Sequence, residues 1–175
     1  FGEGRPREFG LDFGYSRKLS DKMGIGLAMR YIYSNLAAGQ VIGSTTYKAG
    51  SAVAGDLSFY YTGIKEDGSG WNFGAAMSNL GTKIGYTNDA TQKDYIPADL
   101  GIGTTYTKAF DENNKITFGV DAHKLLVPTP PKFTGDYTTD SSAIASYRSK
   151  SVVSSWFSSF GDAPGGFGEE LREFT

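Results

Sequence analysis

Phe9-Gly10-Leu11-Asp12-Phe13-Gly14-Tyr15-Ser16 sets four large apolar or aromatic side chains at odd positions against Gly, Asp, Gly and Ser at even ones. Successive side chains of an extended strand point to opposite faces, so this octet is a strand with one greasy face and one small, polar face. The pattern recurs about six times between Arg7 and Leu125, in runs of roughly ten residues. Ile25, Leu27, Met29, Tyr31 and Tyr33 oppose Gly24, Gly26, Ala28, Arg30 and Ser34, and Val53, Leu57, Phe59 and Tyr61 oppose Ala54, Asp56, Ser58 and Tyr60. Trp71, Phe73, Ala75 and Met77 oppose Asn72, Gly74, Ala76 and Ser78. Leu100, Ile102, Thr104 and Tyr106 oppose Asp99, Gly101, Gly103 and Thr105. Ile116, Phe118, Val120 and Ala122 oppose Thr117, Gly119, Asp121 and His123.

The mid-strand charges Asp12, Arg30, Asp56, Asp99 and Asp121 all fall on the small face. A bilayer imposes that segregation, because a charge facing lipid at the midplane costs about 2–4 kcal/mol. A soluble sandwich also alternates, but its solvent face is richer in Lys, Glu and Thr than in Gly. The reading is therefore all-β: an antiparallel transmembrane β-barrel whose small face, with those five charges, lines the lumen.

The links agree. Residues 17–23, 63–70 and 109–114 are short polar turns carrying Asp, Asn or Gly, whereas 36–51, 80–97 and 126 onward are long. Bacterial barrels have short periplasmic turns and long extracellular loops. Tyr15, Tyr61, Trp71, Tyr106 and Phe110 then fall at the periplasmic ends, and Phe9, Tyr31 and Tyr33 at the outer ends. These are the positions of two interfacial aromatic girdles. Lys108 faces lipid only at its periplasmic end, where its ammonium reaches the headgroups.

Bulk composition resembles that of a soluble domain: 175 residues, 39% hydrophobic, mean hydropathy −0.33. A barrel looks so because half of each strand avoids lipid. The 24 glycines and 14% aromatics are the visible excess. A net charge of −2 gives no attraction to nucleic acid. With no cysteine there is no disulfide, thiolate metal site or cysteine nucleophile. About six strands are fewer than the eight of the smallest single-chain barrels, and the chain opens at Phe1 without a signal peptide. The expectation is an internal piece of a larger barrel, with strands missing on both sides.

Residues 1–125 thus supply the strands, and 126–175 a long extracellular loop of the same domain. Val127-Pro128-Thr129-Pro130-Pro131 ends the sixth strand, since proline cannot donate to a ladder. Residues 134–151, rich in Ser, Thr, Asp and Tyr, suggest a mobile loop. Val152, Val153, Trp156, Phe157 and Phe160 then recur at helical spacing, and Phe167, Leu171 and Phe174 form a second stripe beyond Asp162-Ala163-Pro164-Gly165-Gly166. Two short amphipathic helices either bury these aromatics over the barrel mouth or present Trp156, Phe157, Phe160 and Phe167 to a partner chain.

No catalytic constellation is visible. Gly24-Ile25-Gly26 and Gly101-Ile102-Gly103 do not continue as GxGxxG and open no helix; their glycines leave room for a plug or relieve curvature. His123, the single histidine, has no second His or carboxylate at metal-ligand spacing. No Gly-x-Ser-x-Gly elbow surrounds any serine. The chain is expected to be no enzyme and to hold no cofactor or metal.

Local wording is more specific. Arg5-Pro6-Arg7-Glu8-Phe9 leads to Gly14-Tyr15-Ser16-Arg17-Lys18-Leu19-Ser20 and Arg30-Tyr31-Ile32-Tyr33-Ser34. Ala49-Gly50 to Asp56, Asn79-Leu80-Gly81, Ile96-Pro97-Ala98-Asp99-Leu100 and Asp162-Ala163-Pro164-Gly165-Gly166-Phe167 follow in order. Together they resemble the PorV (LptO) family, outer-membrane barrels of the type IX secretion system of Bacteroidota; the PorQ proteins and wider FadL-like barrels share the architecture. The resemblance implies a fourteen-stranded FadL-like barrel in the Gram-negative cell outer membrane, of which this chain is the middle. It also implies partners: the SprA translocon barrel, cargo proteins with C-terminal sorting domains, and the attachment machinery containing the sortase-like PorU. It brings no catalytic residues. The competing functions are a FadL-type transporter of hydrophobic small molecules, against which the Gly, Ser, Thr and Asp of the small face argue, and a diffusion porin. Spin labels at Leu27 and Phe118 are expected to report acyl chains; water around both, or a protein that stays dissolved without detergent, would contradict the membrane reading.

Overall fold

A computed structural model describes residues 6–37, 39–163 and 165–174, apart from the side chains of Phe167 and Glu170. Ten strands run in chain order as β1 Arg7–Lys18, β2 Met23–Asn35, β3 Val41–Ile42, β4 Thr45–Thr46, β5 Gly50–Thr62, β6 Gly70–Gly81, β7 Ile84–Gly85, β8 Lys93–Asp94, β9 Asp99–Ala109 and β10 Lys115–Leu125. The helices α1 Tyr137–Ser149, α2 Val152–Ser158 and α3 Phe167–Glu170 follow, with a 3₁₀ turn over Leu171–Glu173. The six long strands form one antiparallel sheet in the order β1-β2-β5-β6-β9-β10, while β3-β4 and β7-β8 are small hairpins within the two long loops. The chain is therefore mostly antiparallel sheet with few helices.

Register keeps the two faces apart. Phe9, Leu11, Phe13 and Tyr15 stand opposite Tyr33, Tyr31, Met29 and Leu27, which stand opposite Ser51, Val53, Gly55 and Leu57. Trp71, Phe73, Ala75 and Met77 continue this face to Tyr106, Thr104, Ile102 and Leu100, and thence to Phe118, Val120, Ala122 and Lys124. Little within the chain covers the apolar face: Phe13, Met29, Phe118 and Val120 are all about two-thirds exposed. Such a large apolar surface marks a face that meets something other than water.

The aromatics expected to ring the sheet fall in two groups. Trp71 and Tyr106 lie 4.9 Å apart between ring centroids, with Phe73 and Tyr61 beside them, at the short-turn end. Phe9 stacks on Tyr33 at 5.1 Å and approaches Tyr31 at the long-loop end. Tyr15 and Phe110 are exposed near the short turns. Among the described residues no helix is long and apolar enough to cross a membrane, which bears only on helical spans.

One ladder is interrupted. Between β5 and β6 the pairs Gly55↔Leu80 and Leu57↔Met77 leave Ser78 and Asn79 together opposite Asp56, a β-bulge. Asn79 occupies the left-handed region at φ 56°, which Asn tolerates better than most residues. The extra residue returns Leu80 to the apolar face. Gly81 follows where a Cβ would come within 2.3 Å of the Val53 carbonyl and 2.7 Å of Ile96 Cδ1.

The described core is small and lies on the other face. Ile32, which the alternation places among the small residues, packs with Ala52, Ala54, Ile84 and Ile96 at the long-loop end. The 82–98 loop thereby folds back onto the sheet. Thr82 N–H donates to the Val53 carbonyl (2.9 Å), and Lys48 N–H donates to that of Tyr86 (2.8 Å).

Asn79→Val is expected to cost more than about 2 kcal/mol, because a β-branched residue is strained at positive φ. Asn79→Gly keeps the backbone and loses only side-chain bonds, so it is expected to cost less. Thermal unfolding of the detergent-solubilised protein checks this order; the reverse would remove the bulge from its place in the fold.

Candidate functional site

The small-residue face holds two charged clusters and one neutral ladder. Arg30 stands directly opposite Asp12, and its Nε donates to Asp12 Oδ1 at 2.5 Å. Its Nη1 donates to Asn79 Oδ1 at 2.5 Å, and Nη2 lies 3.6 Å from Asp56 Oδ2. Asp56 accepts from the Asn79 amide (2.6 Å), and Asn79 Nδ2 donates to the Pro97 carbonyl (3.1 Å). One guanidinium thus ties β1, β2, β5, β6 and the 82–98 loop together. Arg is suited to this because its planar fork offers several fixed donors.

Asp99 and Asp121 belong elsewhere, in a group around His123. Nδ1 of His123 lies 2.8 Å from Asp99 Oδ2, and Nε2 lies 3.4 Å from Asp121 Oδ2. Linear spacing concealed Asp99, which pairing of β9 with β10 brings across, whereas Asp121 precedes His123 by two residues on the same face. The group is open to solvent, and the described residues hold no cluster of His, Cys, Asp and Glu able to bind a metal ion. The glycines here have a more local use than a plug. A Cβ on Gly101 would sit 2.8 Å from the His123 ring, so its absence lets the imidazole lie across β9. Toward the short turns β5, β6, β9 and β10 are joined on this face by neutral groups: Tyr60 Oη donates to Asn72, Asn72 Nδ2 to Thr105, and Thr107 pairs with Thr117.

The segment after β10 is more ordered than its composition suggests, and the expectation of a mobile loop over 134–151 is corrected. Residues 137–149 are α1, capped by Asp136, whose side chain accepts from the Thr138 and Thr139 amides. Its apolar periodicity is weak because α1 buries no residue, so nothing in the pattern announced it. In α2, capped by Ser151, the fully buried residues are Ser155 and, just beyond the helix, Ser159. The aromatics go the other way: Phe157 is 76% and Phe160 46% exposed, while Trp156 is half-buried. They are therefore not buried over the sheet end, and the helix packs through its small side. Phe133, Tyr137 and Val153 are exposed on the same layer. Phe167 begins α3, and its side chain lies outside the described residues.

This layer is fastened by polar contacts. Lys83 Nζ donates to the Arg148 and Lys150 carbonyls (2.6 and 2.7 Å), at the end of α1 where helix carbonyls lack partners. The ammonium also lies 4.1 Å from the centre of the Tyr95 ring, and Tyr95 Oη donates to the Tyr147 and Lys150 carbonyls. Burial pushes the Lys83 pKa down, against the opposing pull of Asp94, and burial raises that of Tyr95. Thr129 Oγ1 donates to Asp162 (2.9 Å) and Glu173 (3.1 Å), joining the two ends of the excursion. Lys124, on the apolar face but 1% exposed, pairs with Glu173 beneath the last turn, where Phe174 bridges to it. Neither the buried Lys124 nor its acidic partner was visible in the alternation, which they break.

An antiparallel sheet of long strands, with one face apolar except toward the strand ends, its mid-strand charges on the other, and alternately short turns and long ordered loops, defines an all-β protein. The family described as Type IX secretion system protein PorV matches residues 3–132, which include the whole six-stranded sheet. The chain belongs to this family and is a component of the type IX secretion system. No curated protein matches the chain.

The Glu173 carboxyl is held below the usual range first by its hydrogen bond from Lys124, with burial opposing and Thr129 assisting. A depressed carboxyl stabilises above its unfolded pKa and loses that contribution as pH falls through the folded value. Glu173→Gln is expected to weaken the end of β10 by about 1.5 kcal/mol near neutrality, the low end for a bond to a charged group. Hydrogen exchange at Leu126, whose amide donates to the Ala98 carbonyl, reports it. Protection should fall with acid in the wild type and stay flat in the variant.

Proposed function

We propose that this chain is part of the wall of a fourteen-stranded FadL-like barrel in the outer membrane, and that it acts without catalysis as a carrier in protein export. It binds the SprA translocon, receives cargo through C-terminal sorting domains and passes it to the PorU-containing attachment machinery. Family membership across the whole sheet is the observation that carries this reading. The exposed apolar face supports a lipid-facing wall, and the short-turn and long-loop ends then lie toward the periplasm and the cell exterior.

The loop layer supports a docking role. Trp156 and Phe157 sit on a helix held at both ends, with Phe160 just beyond it, so little conformational freedom is lost when a partner covers them. Arg30 and its partners cross the small-residue face, which argues against an apolar conduit of the FadL transporter kind.

Deleting the gene is expected to remove cargo bearing the C-terminal sorting domain from the medium and cell surface while fatty-acid uptake is unchanged. Normal export with altered uptake would instead establish the transporter. Trp156→Ala with Phe157→Ala is expected to lower recovery of translocon or cargo from membranes about tenfold or more, as for truncated interface anchors. Full recovery from an assembled barrel would remove the docking role from α2.

A further inference from the structure

The apolar face dips where it crosses β5. Gly55 points outward between Met29 on β2 and Leu80 on β6, and leaves a depression of about 560 Å³ walled by Phe13, Tyr15, Leu27, Met29, Leu57 and Leu80. The bulge at Asn79 helps make it, since the extra residue brings Leu80 rather than Asn79 opposite Gly55. The groove crosses four strands and reaches β1 at Tyr15. Two residues further along β1 on the same face is Arg17, opposite Ile25. Arg17 has no ion pair or hydrogen-bonding side-chain partner among the described residues. A cation at the end of an apolar groove complements one amphiphile: an anionic head on a hydrocarbon chain.

The dimensions fit. Strand rise and spacing put the Gly55 and Arg17 Cα atoms roughly 17 Å apart. One leaflet of a hydrocarbon core is about 15 Å deep, so this is the span of a single acyl chain. Tyr15 lies between them, placed for the headgroup boundary. We propose that this outward groove is a binding site for one anionic phospholipid of the periplasmic leaflet, its phosphate on the Arg17 guanidinium and one acyl chain over Gly55. Arg suits the phosphate because its fork donates two parallel hydrogen bonds. The site rests on the membrane-wall reading proposed above and adds to it a fixed lipid on the outside of the barrel.

The full-length protein is extracted in mild detergent from membranes, exchanged into vesicles of phosphatidylethanolamine with phosphatidylglycerol, re-extracted and examined by native mass spectrometry. Wild type is expected to keep one phosphatidylglycerol. Arg17→Gln should lower its occupancy about tenfold, the loss of a charge-assisted bond. Gly55→Leu, whose Cβ meets only the Ala28 carbonyl at 3.4 Å, should lower it comparably by filling the groove. Should that variant fail to assemble, Leu80→Phe fills the same space from β6. Equal occupancy in wild type and in either an Arg17 or a groove-filling variant overturns the site. Membrane fractionation separates the two ideas: a wild type absent from membranes defeats the wall reading, whereas a membrane-assembled protein with unchanged lipid retention defeats only the lipid site.

Discussion

Five antiparallel ladders share one register, and that register decides what every side chain meets. A slip of one residue in β2 would carry Arg30 to the apolar face and leave Asp12 without its partner. The charges also hold the register that places them. Arg30 engages Asp12, Asp56 and Asn79 from three other strands, so it satisfies its donors in only one alignment of β1, β2, β5 and β6. Hydrophobic patterning alone is a weaker lock here, because neither face packs against a second layer across most of the sheet.

The bulge at Asn79 belongs to the same lock. It adds one residue to β6, brings the Asn79 amide onto Asp56, and sends the carboxamide to Arg30 and to the Pro97 carbonyl. The 82–98 loop is thus tied to the charged cluster as well as to the apolar group around Ile32 and Ile96. That loop in turn carries Lys83 and Tyr95, which grip the end of α1. A continuous chain of contacts runs from the wall to the layer that presents Phe157.

The alternation in 9–16 and its repeats made the long strands, their faces and the turn lengths legible, because a period of two is local and every strand repeats it. Partners across strands were less so. Asp99 and Asp121 stood together with Asp12 as one set of polar positions, yet pairing of β9 with β10 gathers them around His123 instead. The left-handed Asn79 gave no signal beyond its residue type. Lys124 broke the apolar pattern because its burial depends on Glu173, almost fifty positions away. Helix α1 was hidden for a different reason: it buries nothing, and its start is marked by one capping aspartate. The aromatic stripe in 152–160 pointed to a helix but left open which side faces the protein, and packing through Ser155 and Ser159 decides it.

Packing through the small side of α2 bears on how the molecule divides its stabilities. The wall is held by backbone ladders and by Arg30, whereas the loop layer is held by side-chain donors meeting helix carbonyls and by the Thr129–Asp162–Glu173 junction. Polar contacts of this kind are individually modest and directional, so they fix an orientation without the large buried area that makes an element inseparable from its core. On the proposed reading this suits a carrier. The contacts that hold its exposed aromatics in place are separate from those that hold the charged register of the sheet.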